Sequence, residues 1–299
     1  MDIQYTTIIW SECALMKASV NWVQLSSLNL DALTREMRFD LLETPQFYQE
    51  FGKMLRKMTA LTELSMKQLS GCSAVLRVVV PALPPQLEVL DLSDNYLPRY
   101  PLCKVLSRMT NLRELDMSLC KLSNEQIVLL TPCLANCPAL TSLRMNGLLA
   151  GSGPVSALVK GLTQLQLLHL EHCYMEDRHV AELVRSLYHH HHLTSLNLSG
   201  NILANETGRA LAKWPQLLCL EELGLGKLDT SAYADISVVE EALQQSLCFR
   251  RIVPSLKEGL VLQQATRDVC HRNTIRHTTL LSISYDPNRV MGSMLVCKK

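Results

Sequence analysis

Along most of this chain, apolar and polar positions follow one recurring order. A leucine is followed by two variable residues, then by an alternating apolar–polar–apolar triplet, two more mostly polar residues, an asparagine or cysteine, one variable residue, and a last apolar residue. The segments LEVLDLSDNYL from Leu87, LRELDMSLCKL from Leu112, LQLLHLEHCYM from Leu165 and LTSLNLSGNIL from Leu193 follow this order, and LTSLRMNGLLA from Leu140 aligns with them with leucine in the asparagine/cysteine place. LSSLNLDAL from Leu25, LTELSMKQL from Leu61 and LEELGLGKL from Leu220 follow it less completely. From Leu87 to Leu220 the steps are 25, 28, 25, 28 and 27 residues. Strict alternation over a few residues predicts a short strand. A step of this length leaves room for a helix after it, and EQIVLLTPCLANC from Glu125 and PVSALVKGL from Pro154 carry apolar residues at helical spacing.

A unit of this size cannot bury its own apolar face, so it must stack on its neighbours with the leucines pointing into a shared core. The order L-x-x-L-x-L-x-x-(N/C)-x-L is that of a leucine-rich repeat. The strand–helix form of the units resembles the ribonuclease-inhibitor-like class over about residues 25–248. That resemblance implies an α/β fold, a leucine-rich repeat solenoid shaped as a horseshoe, with a parallel sheet on the concave side and helices on the convex side. LLTPCLANCPALTSLRMNG is similar to a segment of PRAME-type proteins.

The ends depart from the repeat. Residues 1–24 read as an N-terminal cap with SECALMKASVNW as a helix, and residues 249–299 as degraded terminal repeats, FRRIVPSL and NTIRHTTLLSIS, with a basic tail. Terminal units are atypical because one of their faces meets solvent. The stretch between Leu25 and Leu61 is expected to hold an extended or split helix around Pro45. Charge is uneven: nine Lys/Arg against three Asp/Glu in 249–299 leave the rest of a chain of net charge +1 with a surplus of five negative charges. Eleven cysteines without a CxxC pair imply neither a disulfide framework nor a zinc ribbon. With no secretory signal and no long apolar run, the expected location is the cytoplasm, with the nucleus as the alternative.

Several stretches imitate chemistry. His189–His192 stand between a helix and the strand opening at Leu193, where other units have SRMTN or ANCPA. Four adjacent imidazoles in a turn point in different directions, so a solvated corner is expected there and not a metal site. GSGPVS from Gly151 lacks the third glycine of a dinucleotide fingerprint and the GK[ST] of a phosphate loop. It reads as a turn with Pro154 in the first turn of the following helix. Asn95 and Asn201, with Cys120 and Cys173, take position nine, where a short polar side chain bonds backbone in the turn after the strand. No nucleophile–base pair stands out, so a non-enzymatic protein without cofactor or metal is expected.

Function is expected on the concave sheet. Position five of successive units reads Ser65, Asp91, Asp116, Arg144, His169, Asn197 and Gly224; position seven reads Lys67, Ser93, Ser118, Asn146, Glu171, Ser199 and Gly226. With Glu63, Asp94 and Glu114 these make an acidic patch bounded by Arg144, with His169 and Glu171 beyond it. Asp91 beside Asp116 is a like-charge pair of the kind sheets avoid unless something compensates. A basic partner protein is one compensation, and an Asp116–Arg144 ion pair on a solvated face is the plainer one. The expected function is a protein–protein interaction scaffold binding its partner on the concave face, away from membranes and without a role in nucleic acid binding. The alternative comes from the PRAME-type resemblance: substrate recognition for a cullin–elongin ubiquitin ligase. Ala14, Leu15, Ser19 and Val23 fit that family's elongin-binding helix, with serine where cysteine is usual.

Overall fold

The structure is a computed structural model that describes residues 24–29, 31, 45–68, 73–97, 99–148, 153–225 and 251–252. Nine short strands form one parallel sheet in strict chain order: β1 (Ser27–Asn29), β2 (Glu63–Ser65), β3 (Val89–Asp91), β4 (Glu114–Asp116), β5 (Ser142–Arg144), β6 (Leu167–His169), β7 (Ser195–Asn197), β8 (Glu222–Gly224) and β9 (Arg251–Ile252). Helices α1 (Pro45–Lys57), α2 (Ser73–Val79), α3 (Arg99–Leu106), α4 (Asn124–Leu134), α5 (Gly153–Lys160), α6 (Asp177–Ser186) and α7 (Asn205–Ala212) alternate with the strands, α1 packing on α2 and α3 to α7 in succession, with the 3-10 turn Val80–Ala82 packed against α3. From β1 to β8 every strand therefore crosses over through a helix to a parallel neighbour, the architecture of an α/β leucine-rich repeat solenoid.

The register follows the leucines. Leu64, Leu90, Leu115, Leu143, Leu168, Leu196 and Leu223 are direct partners across the sheet at position four, and all are buried. Position one (Leu61 to Leu220) and position six (Met66, Leu92, Met117, Met145, Leu170, Leu198, Leu225) are buried beside them. The helices close the core with Leu106, Ile127, Val159, Leu183 and Leu211, among others. Each unit thus buries its apolar face only against the next one.

Position nine is used as its residues predict. Asn95 Nδ2 donates to the carbonyls of Met66 (2.8 Å) and Leu92 (2.9 Å). Cys120 Sγ donates to Leu92 O at 3.1 Å and Cys173 Sγ to Met145 O at 3.3 Å. Position eight of every described unit turns left-handed, with positive φ at Gln68, Asp94, Leu119, Gly147, His172 and Gly200. Glycine is needed most at 200, where a Cβ would run into the His172 ring.

The helices are closed locally. Ser123 and Gln126 form a capping box at the start of α4, satisfying two otherwise orphaned backbone donors. Asp177, in the first turn of α6, reaches the next unit and accepts from the N–H groups of Ala204 (2.8 Å), Glu206 (2.9 Å) and Thr207 (3.0 Å) at the start of α7. Burial opposes its charge, but the Thr207, Ala204 and Glu206 donors outweigh burial and hold the carboxyl below the usual range.

Two details refine the sequence reading. Pro45 opens α1, where its missing N–H costs nothing; a split before it would lie outside the described residues. Among the four histidines, His189, His191 and His192 are exposed, but His190 is buried at 1% and bonds Val159 O through Nε2 at 3.0 Å. The corner is therefore not wholly solvated. His190 stands three residues before Leu193, in the slot that Met58, Met109, Cys137, Leu162 and Leu217 fill elsewhere, all of them buried. FRRIVPSL contributes β9, which extends the sheet beside β8; NTIRHTTLLSIS lies outside the described residues.

Candidate functional site

The open face of the sheet carries positions three, five and seven. Ser65, Asp91, Asp116, Arg144, His169, Asn197 and Gly224 are partners across β2 to β8, so their side chains rise about 4.8 Å apart. Glu63 and Glu114 are exposed at position three, and Asp91, Asp94 and Asp116 are half-buried between and beside them. The acidic residues named from the sequence converge. A reporter of their field lies beneath them: burial pushes the Cys120 thiol up to about 12, and the charges of Asp116, Asp91 and Asp94 add to that.

The Asp91–Asp116 neighbours are compensated within the chain. Asp91 Oδ1 accepts the Ser93 N–H and Asp116 Oδ1 the Ser118 N–H, each at 2.8 Å. Asn197 makes the same bond to Ser199 at 3.0 Å, and Asn29 to Asp31 at 2.8 Å. These are Asx turns, in which a side chain satisfies the backbone donor two residues on. The position-five Asx residues therefore finish their strands, and a partner is not required to explain two adjacent aspartates.

The expected Asp116–Arg144 ion pair is replaced by another. Arg144 Nη1 lies 3.9 Å from Glu114 Oε2 and donates to Ser142 Oγ at 3.1 Å. Asp116 has turned its carboxylate back to its own chain, which leaves Glu114, one strand over and outside the Asx turns, as the anion Arg144 meets. Exposed pairs of this kind contribute at most about 1 kcal/mol.

Beyond Arg144 the face becomes a hydrogen-bonded polar strip. Ser118 Oγ accepts the Asn146 N–H at 3.1 Å, and Asn146 Oδ1 accepts the Glu171 N–H at 2.8 Å. His169 Nε2 is 3.0 Å from Ser195 Oγ, which donates to Glu222 Oε2 at 3.0 Å. His169 and Glu171 are thus near the acidic strands but tied into this strip, and Cys173 faces the core. Among the described residues no three His, Cys, Asp or Glu side chains are grouped to hold a metal ion. No described helix is long and apolar enough to cross a membrane.

Some residues of this face escaped the sequence reading. Ser195 and Glu222 occupy position three, which was read only at Glu63 and Glu114. At position ten, Tyr96, Tyr174 and Ile202 stand exposed along the edge where the strands end. Lys121 lies 4.7 Å from the Tyr96 ring centre, over its face. Leu15, Ser19 and Val23 lie outside the described residues.

A family model described as Leucine Rich repeat matches residues 108–125 and 189–212. The leucine-rich repeat-containing protein LegL7 from Legionella pneumophila is similar in structure over 83% of this chain and 91% of its own, at 16% identity and a TM-score of 0.50. Internalin C2 from Listeria monocytogenes aligns over 62% of this chain and 71% of its own, at 21% identity and a TM-score of 0.39. The tropomodulin C-terminal domain from Caenorhabditis elegans aligns over 61% and 96%, at 13% identity and a TM-score of 0.40. No curated protein matches the sequence. The chain is a leucine-rich repeat protein. The PRAME-type resemblance finds no support in these matches.

Proposed function

We propose that this protein is a non-enzymatic interaction scaffold whose partner lies on the open face of β2 to β5 and presents lysine or arginine side chains there. The observation that carries the reading is the convergence of Glu63, Asp91, Asp94, Glu114 and Asp116 on three adjacent strands, with Arg144 at its boundary. Asp91 and Asp116 each spend one oxygen on their Asx turn, and a carboxylate has further lone pairs to offer a cationic donor. Tyr96 at the rim supplies the amphipathic contact that interfaces favour. The ligase alternative rests on the pattern at Ala14, Leu15, Ser19 and Val23, and nothing in the fold adds to it.

Hydrogen exchange on the protein with a partner captured by affinity purification tests the location. Binding is expected to slow exchange in residues 89–94 and 114–118 while leaving 177–186, in α6 on the helical side, unchanged. Protection confined to the helical side is the opposite result and rejects the reading.

A further inference from the structure

On the side of the solenoid away from the sheet, α3 and α4 bring two thiols together. Cys133 Sγ donates to its own helix at Leu129 O (3.2 Å), and Cys103 Sγ reaches across from α3 to the same oxygen (3.5 Å). The shared carbonyl oxygen thus brings the two sulfurs to the same point between the helices. Both are half-buried, so a small oxidant can reach them.

We infer that Cys103 and Cys133 are a modification site, an oxidisable dithiol that closes into a disulfide between neighbouring repeats. Hydrogen peroxide is the class of oxidant the site admits. Burial, and then the Cys133 side chain beside it, push the Cys103 thiol up to about 11; either sulfur reacts as its thiolate, the nucleophilic form. One of the two thiols gives up its proton and takes one peroxide oxygen as the thiolate, the O–O bond breaks, and a sulfenic acid results, the other oxygen leaving with that proton as one water. The other sulfur then attacks the sulfenyl sulfur; the S–S bond forms, the S–O bond breaks, and hydroxide leaves with the second thiol's proton as a second water. Two thiols are oxidised by two electrons in all and one peroxide is reduced to two waters.

The neighbouring thiol is placed to stay out of the reaction. Cys137 is 3% exposed and its Sγ donates to Leu106 O at 3.4 Å on the core side, and burial pushes it too up to about 11. Closure of the Cys103–Cys133 bond would tether α3 to α4 and restrict the unfolded chain between them.

The test treats the full chain with hydrogen peroxide under native conditions, blocks remaining thiols with N-ethylmaleimide, and maps unreduced peptides by mass spectrometry. The expected product joins the Cys103 peptide to the Cys133 peptide, reverts to two thiols with dithiothreitol, and is lost in Cys103→Ser. Recovery of Cys133 joined to Cys137, or of Cys103 and Cys133 on separate peptides as blocked thiols or sulfinic acids, overturns the assignment. The mapping is read on the unsubstituted chain, so it decides the matter even where Cys103→Ser fails to fold.

Discussion

Asn201→Ala is expected to cost about 3 kcal/mol or more of folding free energy, read as a large fall in the urea midpoint. The side chain is 5% exposed and makes four bonds at one corner. Its Nδ2 donates to Leu170 O and Leu198 O, both at 2.8 Å. Its Oδ1 accepts from the N–H groups of Cys173 (3.0 Å) and Met175 (3.2 Å). Alanine replaces none of these and strands two donors and two acceptors away from water, each of which costs about 1–3 kcal/mol when left unmet. Asn201→Cys should fall between, because a thiol donates to a carbonyl as Cys120 and Cys173 do, yet accepts poorly from N–H. Asn136, exposed after α4, is the control, and its alanine variant should stay within about 0.5 kcal/mol of the parent.

The run of histidines supplies the second large effect. His190→Ala should cost about 2–4 kcal/mol, because it empties a slot the repeat fills with Met, Leu or Cys and leaves Val159 O without its donor. His189→Ala, His191→Ala and His192→Ala should each lie within about 0.5 kcal/mol of the parent. A pH titration adds a sign. Burial, over the opposing pull of the Val159 and Leu187 carbonyls, lowers the His190 pKa below its usual 6.5. With its pKa lowered the folded ring is neutral at pH 7, Nε2–H facing the Val159 carbonyl and Nδ1 buried without a hydrogen-bond partner. The unfolded chain then binds the extra proton, and the His190 contribution is complete above about pH 6.5 and is lost as pH falls toward the folded pKa. His190→Leu should flatten that slope. Equal losses from all four alanine variants would show the corner to be uniform, against the structure.

These two residues mark where the sequence was legible and where it was not. Asn201 was readable because its position recurs, as asparagine at 95 and cysteine at 120 and 173. The leucines were readable for the same reason: periodicity reports burial directly, and it set the parallel register from Leu64 to Leu223. His190 was hidden by its residue type, since a run of imidazoles reads as polar. Its place three residues before Leu193 was the available signal. Asp91 and Asp116 were found as members of the concave face, but their work as Asx turns was missed. The clue was Asp-x-Ser, repeated at Asp91–Ser93 and Asp116–Ser118 and echoed by Asn197–Ser199. Arg144 was expected beside Asp116 because they share a rung of the sheet. Rung sharing fixes Cα positions and not which anion a long side chain meets, and Glu114 was the one left available. The thiol pair on α3 and α4 is joined by contact between neighbouring helices, which spacing along the chain does not encode.

On the proposed function, the acidic residues of β2 to β4 hold a basic partner. Charge reversal is best made at Glu63 and Glu114, which are exposed and outside the Asx turns; Asp91→Lys or Asp116→Lys would also remove a backbone bond and confuse folding with binding. A partner captured by affinity purification would be titrated against the parent, against the Glu63→Lys/Glu114→Lys double variant, and against Glu182→Lys on the exposed side of α6. The concave reversal should weaken binding by more than about tenfold, or about 1.4 kcal/mol. The parent's affinity should fall with added salt, since exposed charges are screened over about 8 Å at physiological ionic strength. Glu182→Lys should bind as the parent does. Loss of binding on Glu182→Lys, with the concave double variant and added salt both without effect, would contradict the account.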